Sequence, residues 1–399
     1  MLTILCEVVY INNGAIRSYI SLFSSAGIGC YGFKEEGFEC IASNELLEKR
    51  LKIQMYNLKC KYDTGYICGD IKNKDVFNKI LSEINYWKDV HKISNVDVII
   101  ATPPCQGISI ANHKKSSDEI IRNSLVIESL KAIKIILPNF FIIENVRSFL
   151  KAVCTDIDGS EKKIKEAVES NLSKTYDISY NVMNFKSYGC PSSRTRALII
   201  GVRRDLSHIK PYELLPNESR EINLSETIGH LSSLKTMGEI DTNDIYHNYK
   251  KYDKRMISWI EKLIEGQSAF ENKEVTRVPH TIKEGSIVYN KNKNGDKYRR
   301  QYWNKVAPCI HTRNDILSSQ NTVHPVDNRV FSIRELMLMM SIPYNFKWTD
   351  LSNEQLFQFT LEEKKKFLKK EEMNIRQSIG EAVPTTIFRQ IAHKIRKNI

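Results

Sequence analysis

The sequence predicts an α/β fold in which a parallel β-sheet is covered on both faces by helices. Three observations carry that expectation. Short apolar runs of strand length recur through the first 205 residues, each ending in a polar or turn residue. The stretches between them are long enough for helices. One of these, residues 123–137, sets Leu125, Val126, Leu130, Ile133 and Leu137 on one helical face before Pro138 stops it. Strand and helix therefore alternate as in βαβ units. Ligands of such sheets bind beyond the carboxyl ends of the strands, so the chemistry is sought there.

Taken in order, the strand ends are rich in chemistry. The run at 19–23 leads into Ser24, Ser25, Ala26, Gly27, Ile28 and Gly29. Small residues there let a backbone approach a ligand closely. The run at 38–42 precedes Asn44 and Glu45, and the run at 66–68 precedes Gly69 and Asp70. An acid at the position of Glu45 can accept hydrogen bonds from ribose hydroxyls. With the glycine loop it points to an adenosine-containing cofactor, of which a dinucleotide is one form. The run at 96–100 leads into Thr102, Pro103, Pro104, Cys105, Gln106 and Gly107. Two prolines and a glycine frame Cys105 in a rigid turn, and a thiolate so presented is a strong nucleophile. The run at 140–143 leads into Glu144, Asn145 and Val146. A pocket carboxyl whose pKa is raised can donate a proton at neutral pH. Arg194 and Arg196 enter a last run at 197–202. Two apart on a strand, they face the same side and can hold a carboxylate, a phosphate or a base edge.

From 206 to 326 the rhythm breaks. Between Lys250 and Lys305 there are 14 Lys/Arg against 7 Asp/Glu, interleaved with aromatics, as in the stretch 297–303. This reads as a separate irregular basic module. Residues 354–372 read as a charged helix with Leu356, Phe359, Leu361 and Phe367 as its buried stripe and Lys364, Lys365 and Lys366 on a solvated face. Residues 375–395 return to a helical apolar pattern after Val383 and Pro384.

The chain has 399 residues and a formal net charge of +12. That length can bury a sizeable core, and 41% hydrophobic against 27% charged residues argues against wholesale disorder. The charge draws the molecule to polyanions. Nine scattered cysteines with no CxxC pair argue against a zinc ribbon and for reduced thiols. No metal site is expected. No stretch reaches the roughly 20 apolar residues of a membrane span, and a cytoplasmic, nucleoid-associated location without a membrane partner is expected.

In this order, the parts resemble the DNA (cytosine-5) methyltransferases. The resemblance covers most of residues 18–205 and resumes around 329–343 and 380–384. The Pro-Cys-Gln turn at 104–106, with Glu144 lying 39 residues after Cys105, is its most specific feature. It implies a Rossmann-like S-adenosylmethionine-dependent methyltransferase fold with a smaller irregular target-recognition domain. Residues 1–205 would form the catalytic, cofactor-binding domain, residues 206–326 the target-recognition domain, and residues 327–399 a segment returning to the catalytic domain. S-adenosyl-L-methionine would lie against Phe23, Ser25, Gly27, Glu45, Asp70, Ile71, Pro103, Ala382 and Val383. Glu45 would take the ribose and Asp70 the adenine edge. A cytosine flipped from double-stranded DNA would meet Cys105 as nucleophile and Glu144 as its acid, with Arg194 and Arg196 bracing Glu144 and the base. The implied setting is a restriction–modification system, with a possible cognate endonuclease and a monomeric enzyme.

Ser25 and Ile28 stand where that family usually has Gly, Ser192 where it has Gln before the arginines, and Glu381 where it has Asn before Val-Pro. Neither the nucleophile nor its acid is lost, so activity is expected. Other classes fit less of the sequence. An amine-directed methyltransferase wants an aromatic residue after the two prolines, where this chain has Cys105. A nicotinamide-dependent oxidoreductase leaves Cys105, Glu144 and the arginines unexplained. A non-catalytic DNA-binding protein explains only the charge and the module. A tRNA cytosine-5 methyltransferase shares the catalytic parts, but the basic insert of roughly 120 residues favours a sequence-specific duplex reader.

Overall fold

The computed structural model describes residues 16–104, 124–290 and 294–399. Cys105, Gln106 and Gly107 lie outside the described residues. Among the described residues, the first half of the chain forms β1 (Ser18–Leu22), α1 (Tyr31–Glu35), β2 (Glu39–Glu45), α2 (Glu48–Tyr56), β3 (Tyr66–Cys68), α3 (Lys74–His91), β4 (Val98–Ala101), α4 (Leu125–Ile136), β5 (Phe140–Val146), α5 (Ile164–Leu172), and the long strands Tyr176–Asn184 and Thr195–Arg203. Between β5 and α5 a small hairpin pairs β6 (Val153–Thr155) with β7 (Glu161–Lys163), so the two long strands are β8 and β9.

The main sheet has seven strands in the order β3-β2-β1-β4-β5-β9-β8. The first five are mutually parallel, as expected of βαβ units. Strand β9 is antiparallel to both neighbours, a feature the alternating pattern did not predict. All five residues of β1 are buried, which fits a central strand covered on both faces. Successive side chains divide between two cores. Ile20, Ile99 and Phe141 face α3 and α4 through Ile80, Trp87 and Leu130. Tyr19, Val98 and Phe140 face the other way, toward Phe33 and Phe388. That is the two-residue period of a strand.

The observed boundaries move several functional residues. Strand β1 ends at Leu22, and Phe23 follows it with φ +54°. Asn44 and Glu45 are the last residues of β2, and Glu144, Asn145 and Val146 belong to β5. Helix α4 ends at Leu137, whose φ of +54° closes it before Pro138.

Beyond Arg203, regular elements are short: α6 (Leu224–Ile228), α7 (Lys254–Ile260), and a hairpin of β10 (His280–Lys283) with β11 (Ser286–Tyr289). Then come α8 (Ile333–Met339), α9 (Asn353–Phe357), α10 (Leu361–Glu381) and α11 (Thr385–Asn398). The charged helix predicted over 354–372 is therefore two elements. The first ends at Phe357, capped by Gln358, and Thr360 caps the second, accepting from the Glu363 N–H at 3.3 Å. Leu356 is buried, but Leu361 is exposed. Lys364 is not on a solvated face: it is buried and its Nζ donates to the Thr242 carbonyl at 3.0 Å. The apolar tail is interrupted at Ala382, Val383 and Pro384 and resumes as α11. Helix α11 lies against α1, where a Cβ on Gly32 would stand 2.5 Å from the Arg389 backbone nitrogen. A third core joins Ala26, Ile28 and Ile53 to Met337, Met340 and Ile379. Among the described residues no helix is long and apolar enough to cross a membrane.

A buried ionic cluster holds the approach to α8. Arg329 donates to Glu335 at 2.7 and 2.8 Å and lies 2.8 Å from Asp327. Against the cost of burial, Arg329 holds the Glu335 carboxyl below its usual range, and the Ser233 hydroxyl followed by Arg329 does the same for Asp327. Removing one partner of such a cluster leaves an uncompensated buried charge. Arg329→Met is therefore expected to cost about 3–5 kcal/mol, read as a lowered urea midpoint at pH 7. The deficit should shrink as pH falls through the depressed carboxyl pKa values, because protonated acids no longer need the cation.

Candidate active site

The loop after β1 is built from backbone that L side chains rarely adopt. Phe23, Ser25 and Gly27 have φ of +54°, +43° and +76°. Three neighbours hold it. Thr102 Oγ1 donates to the Phe23 carbonyl at 2.9 Å. Glu45 Oε2 accepts from the Ser25 N–H at 2.7 Å, while its Oε1 accepts from the Leu47 N–H at 3.0 Å. Gln54 Nε2 donates to Ser24 Oγ at 2.7 Å and to the Ser25 carbonyl at 2.5 Å. An open cleft of about 360 Å³ lies along this loop, walled by Ser24, Ser25, Gly27, Thr102, Glu381 and Val383.

The other expected residues fall along the same sheet edge. Asp70 is exposed beyond β3, and its Oδ1 accepts from the Lys72 N–H at 3.0 Å; Ile71 beside it is buried. Pro103 is buried beyond β4, and Asn145 Nδ2 donates to its carbonyl at 2.8 Å, tying the proline turn to β5. Ala382 and Val383 form the buried turn between α10 and α11. A Cβ on Gly29 would stand 3.0 Å from Val383 Cβ, so turn and loop meet there without room for a side chain.

Glu144 is 6% exposed. It pairs with Leu198 across β5 and β9, and Arg196 pairs with Val146 two residues along. Arg196 Nε stands 3.1 Å from Glu144 Oε1 without hydrogen-bond alignment, so that buried oxygen accepts no hydrogen bond. Burial pushes the Glu144 carboxyl up, against the opposing pull of Arg196 and Arg194.

The two arginines do different things. Arg196 is the direct partner of Glu144. Arg194 is 3% exposed and its guanidinium donates to the Ile310 carbonyl at 3.2 Å and the Gly380 carbonyl at 3.3 Å. It acts on Glu144 through its charge alone, and its hydrogen bonds brace later segments of the chain. Ser192 is fully buried beside Cys190 and Met340, so it is not at a pocket rim. Glu381 meets the other unusual residue: Ser25 Oγ donates to its Oε2 at 2.9 Å, and Arg50 Nη2 lies 3.2 Å from the same oxygen.

The sequence reading missed Arg50 and Gln54, and it named Thr102 and Asn145 within motifs without giving them the role of holding the site together. Arg50 and Gln54 lie four apart on the buried face of α2, where polar residues at helical spacing give no signal of their own. The basic stretch also reads differently in three dimensions. Arg300 is 3% exposed and donates to the carbonyls of Ile260, His324 and Val326. Arg299 donates to the carbonyls of Gly266 and Gly295. These two cations hold loops of the module together.

The fold is shared with solved methyltransferases. A structure described as a prophage-encoded DNA modification methyltransferase of E. coli aligns with a TM-score of 0.61 at 16% identity, covering 96% of this chain and 99% of that one. The S. pombe Dnmt2 methyltransferase aligns with a TM-score of 0.51 at 12% identity, covering 96% and 98%. In sequence, the chain is 30% identical over 395 residues to the Type II methyltransferase M1.HgaI of Avibacterium volantium, covering 94% of this chain and 97% of that protein. It is 26% identical to M.DdeI of Desulfomicrobium norvegicum, over 94% and 88%. A family model described as C-5 cytosine-specific DNA methylase matches residues 17–397, and with that match the chain belongs to the C-5 cytosine-specific DNA methylase family.

Proposed function

We propose that this chain methylates carbon 5 of a cytosine flipped out of duplex DNA, through a transient bond from Cys105 to carbon 6 and with S-adenosylmethionine as methyl donor. Family membership supports DNA cytosine-5 methylation of the restriction–modification type. The observation that carries the finer reading is the order of groups along one sheet edge. Asp70 follows β3, Glu45 ends β2, the tight loop follows β1, the proline turn follows β4, and Glu144 lies near the end of β5. An extended ligand fits that order with adenine by Asp70, ribose by Glu45, its amino-acid arm over the loop after β1, and the target base by Glu144.

The residues present fit the cofactor. The cleft opens along the loop after β1 and is walled by Ser24, Ser25, Gly27, Thr102, Glu381 and Val383. The loop beside it is lined by Ser and Gly, and each Glu45 oxygen, holding one N–H, keeps acceptor capacity for a ribose hydroxyl. When bound, the cofactor supplies an electrophilic methyl group on a sulfonium.

The chain's own residues supply the rest. The Cys105 thiolate bonds to carbon 6, and the ring's 5,6 electron pair moves toward carbon 5. The Glu144 carboxyl, held toward its protonated form by burial, donates to the ring nitrogen, and its acceptor oxygen takes the exocyclic amine. Arg196 offsets the charge left on Glu144. After carbon 5 takes the methyl group it loses its proton to a base, the carbon 6 to sulfur bond breaks to return the thiolate, and the ring nitrogen gives its proton back to Glu144. Residues 206–326 would read the target sequence against a catalytic body of residues 1–205 and 327–399. Cations other than Arg299 and Arg300 would contact phosphate.

Expression in a methylation-free host followed by bisulfite mapping is expected to show protected cytosines in one recurring sequence. Cys105→Ala should abolish that protection while leaving duplex binding intact; protection by the variant would discard the thiol mechanism. Glu144→Gln should lower kcat by at least about 100-fold with little change in cofactor affinity. Because the folded pKa of Glu144 is raised, its protonated form persists above the ordinary carboxylate range, and the alkaline limb of the pH–rate profile should disappear in the variant. Equal losses in kcat and cofactor affinity would remove Glu144 from the acid role. DNA affinity is expected to fall at least about tenfold between 50 and 200 mM salt, and a flat response would overturn the phosphate-contact reading.

A further inference from the structure

The chain departs from its family's usual pattern at Ser25 and Glu381, and in the structure these two side chains meet. Ser25 bridges two acids. Its N–H donates to Glu45 at 2.7 Å and its Oγ to Glu381 at 2.9 Å. Arg50 backs Glu381 from the protein side and is itself buried, with its side chain 2% exposed. Its Nη1 is taken by the Asn374 carbonyl at 2.6 Å, by Asn374 Oδ1 at 2.8 Å and by Ser378 Oγ. Its Nη2 reaches both oxygens of Glu381, at 3.3 and 3.2 Å. The Glu381 side chain remains 41% exposed and forms part of the cleft wall.

A carboxylate has about four acceptor positions. Ser25 donates to Oε2 and Arg50 to Oε1, and the second Arg50 contact is an ion-pair distance, which leaves acceptor capacity on Glu381 in a side chain that still faces solvent along the cleft. The group that matches this vacancy is a cationic hydrogen-bond donor. Both Nη atoms of Arg50 already have partners, and its Nε, which donates to none, is buried away from the cleft. The position along the sheet edge says which part of an extended ligand arrives there. Counting from Asp70 through Glu45, the next station is the loop after β1, where Ser25 sits.

We propose that Glu381, oriented by Arg50 and Ser25, binds the α-ammonium group of the cofactor's amino-acid arm and makes cofactor affinity depend on that group. This rests on the cofactor reading given above. It assigns the amino group to a side-chain carboxylate that the usual family pattern lacks.

The test is a cycle between protein and ligand, read by titration calorimetry on the full chain. The probes are S-adenosyl-L-homocysteine and its analogue lacking the α-amino group, each titrated into wild type and Glu381→Gln. Glu381→Gln also leaves Arg50 less well partnered, so any loosening of the loop weakens both probes alike and cancels in the comparison. The expected result is that the variant weakens S-adenosyl-L-homocysteine by about tenfold, the scale of one charge-assisted hydrogen bond. The desamino analogue should change by less than about twofold.

Equal weakening of both probes would overturn the proposal and leave Glu381 a brace of the loop. Equal affinity of both probes for wild type would overturn it as well. If Glu381→Gln does not fold, Arg50→Gln/Glu381→Gln, which removes the ion pair as a unit, takes its place with the same expected difference. Folded wild type that binds neither probe would instead defeat the cofactor reading on which the proposal stands.

Discussion

The reversal of one strand governs the geometry of the site. In a parallel sheet every strand leaves at the same edge, so residues that enter a strand lie at the far side from those that leave one. Arg194 and Arg196 stand at the entry to β9, and Glu144 lies near the exit of β5. They meet because β9 is antiparallel to β5, with Arg196 opposite Val146 and Leu198 opposite Glu144. Arg196 and Leu198 are two apart and share a face, so the guanidinium is the diagonal neighbour of the carboxyl. A parallel β9 would have carried both arginines to the opposite edge. The same reversal lets Arg194, just before the strand, reach Ile310 and Gly380 and connect this corner to the later third of the chain.

A second constraint lies in the loop after β1. Two non-glycine residues, Phe23 and Ser25, hold left-handed backbone there, a conformation that persists only where the surroundings over-determine it. Thr102, Glu45 and Gln54 each hold a different atom of the loop. Gln54 is in turn fixed by Ser43, whose Oγ donates to its Oε1 at 2.6 Å and accepts from Lys59 Nζ at 2.9 Å. The cleft wall is thus set by a polar chain that runs through α2 and β2. Its members are buried or nearly so, and the low-dielectric surroundings strengthen such bonds while making each unpaired group costly.

The strands were legible because buried strands write themselves as apolar runs, and six of the seven in the main sheet, the five parallel ones and β9, coincide with such runs. Strand β8 was not legible: most of Tyr176–Asn184 is only half-buried, as suits an edge strand, and it carries polar residues throughout. The direction of β9 was not legible either, since strand sense is decided by tertiary packing. Among site residues, Glu144 and Glu45 announced themselves by position after a run. Arg50 and Gln54 did not, because their role exists only once α2 packs against the loop and α10. Arg300 misled in the opposite sense: in sequence it belongs to a basic, aromatic stretch, yet its charge is spent on carbonyls. Lys364 is the same case on a smaller scale.

Three carboxylates near the cleft show how one side-chain type is given three tasks by its surroundings. Glu45 accepts two backbone N–H groups, one on each oxygen. Glu381 sits against a guanidinium and a hydroxyl at the end of a helix and keeps one side open. Glu144 is deeply buried, and Arg196 and Arg194 beside it oppose the desolvation without cancelling it. That imbalance pushes its carboxyl up, as the proposed ring-protonating role of Glu144 requires and the proposed ribose-acceptor role of Glu45 does not. Exchanging the surroundings of Glu45 and Glu144 would leave the composition of the site unchanged and remove its chemistry. The function therefore resides in what each carboxylate is denied as much as in where it stands.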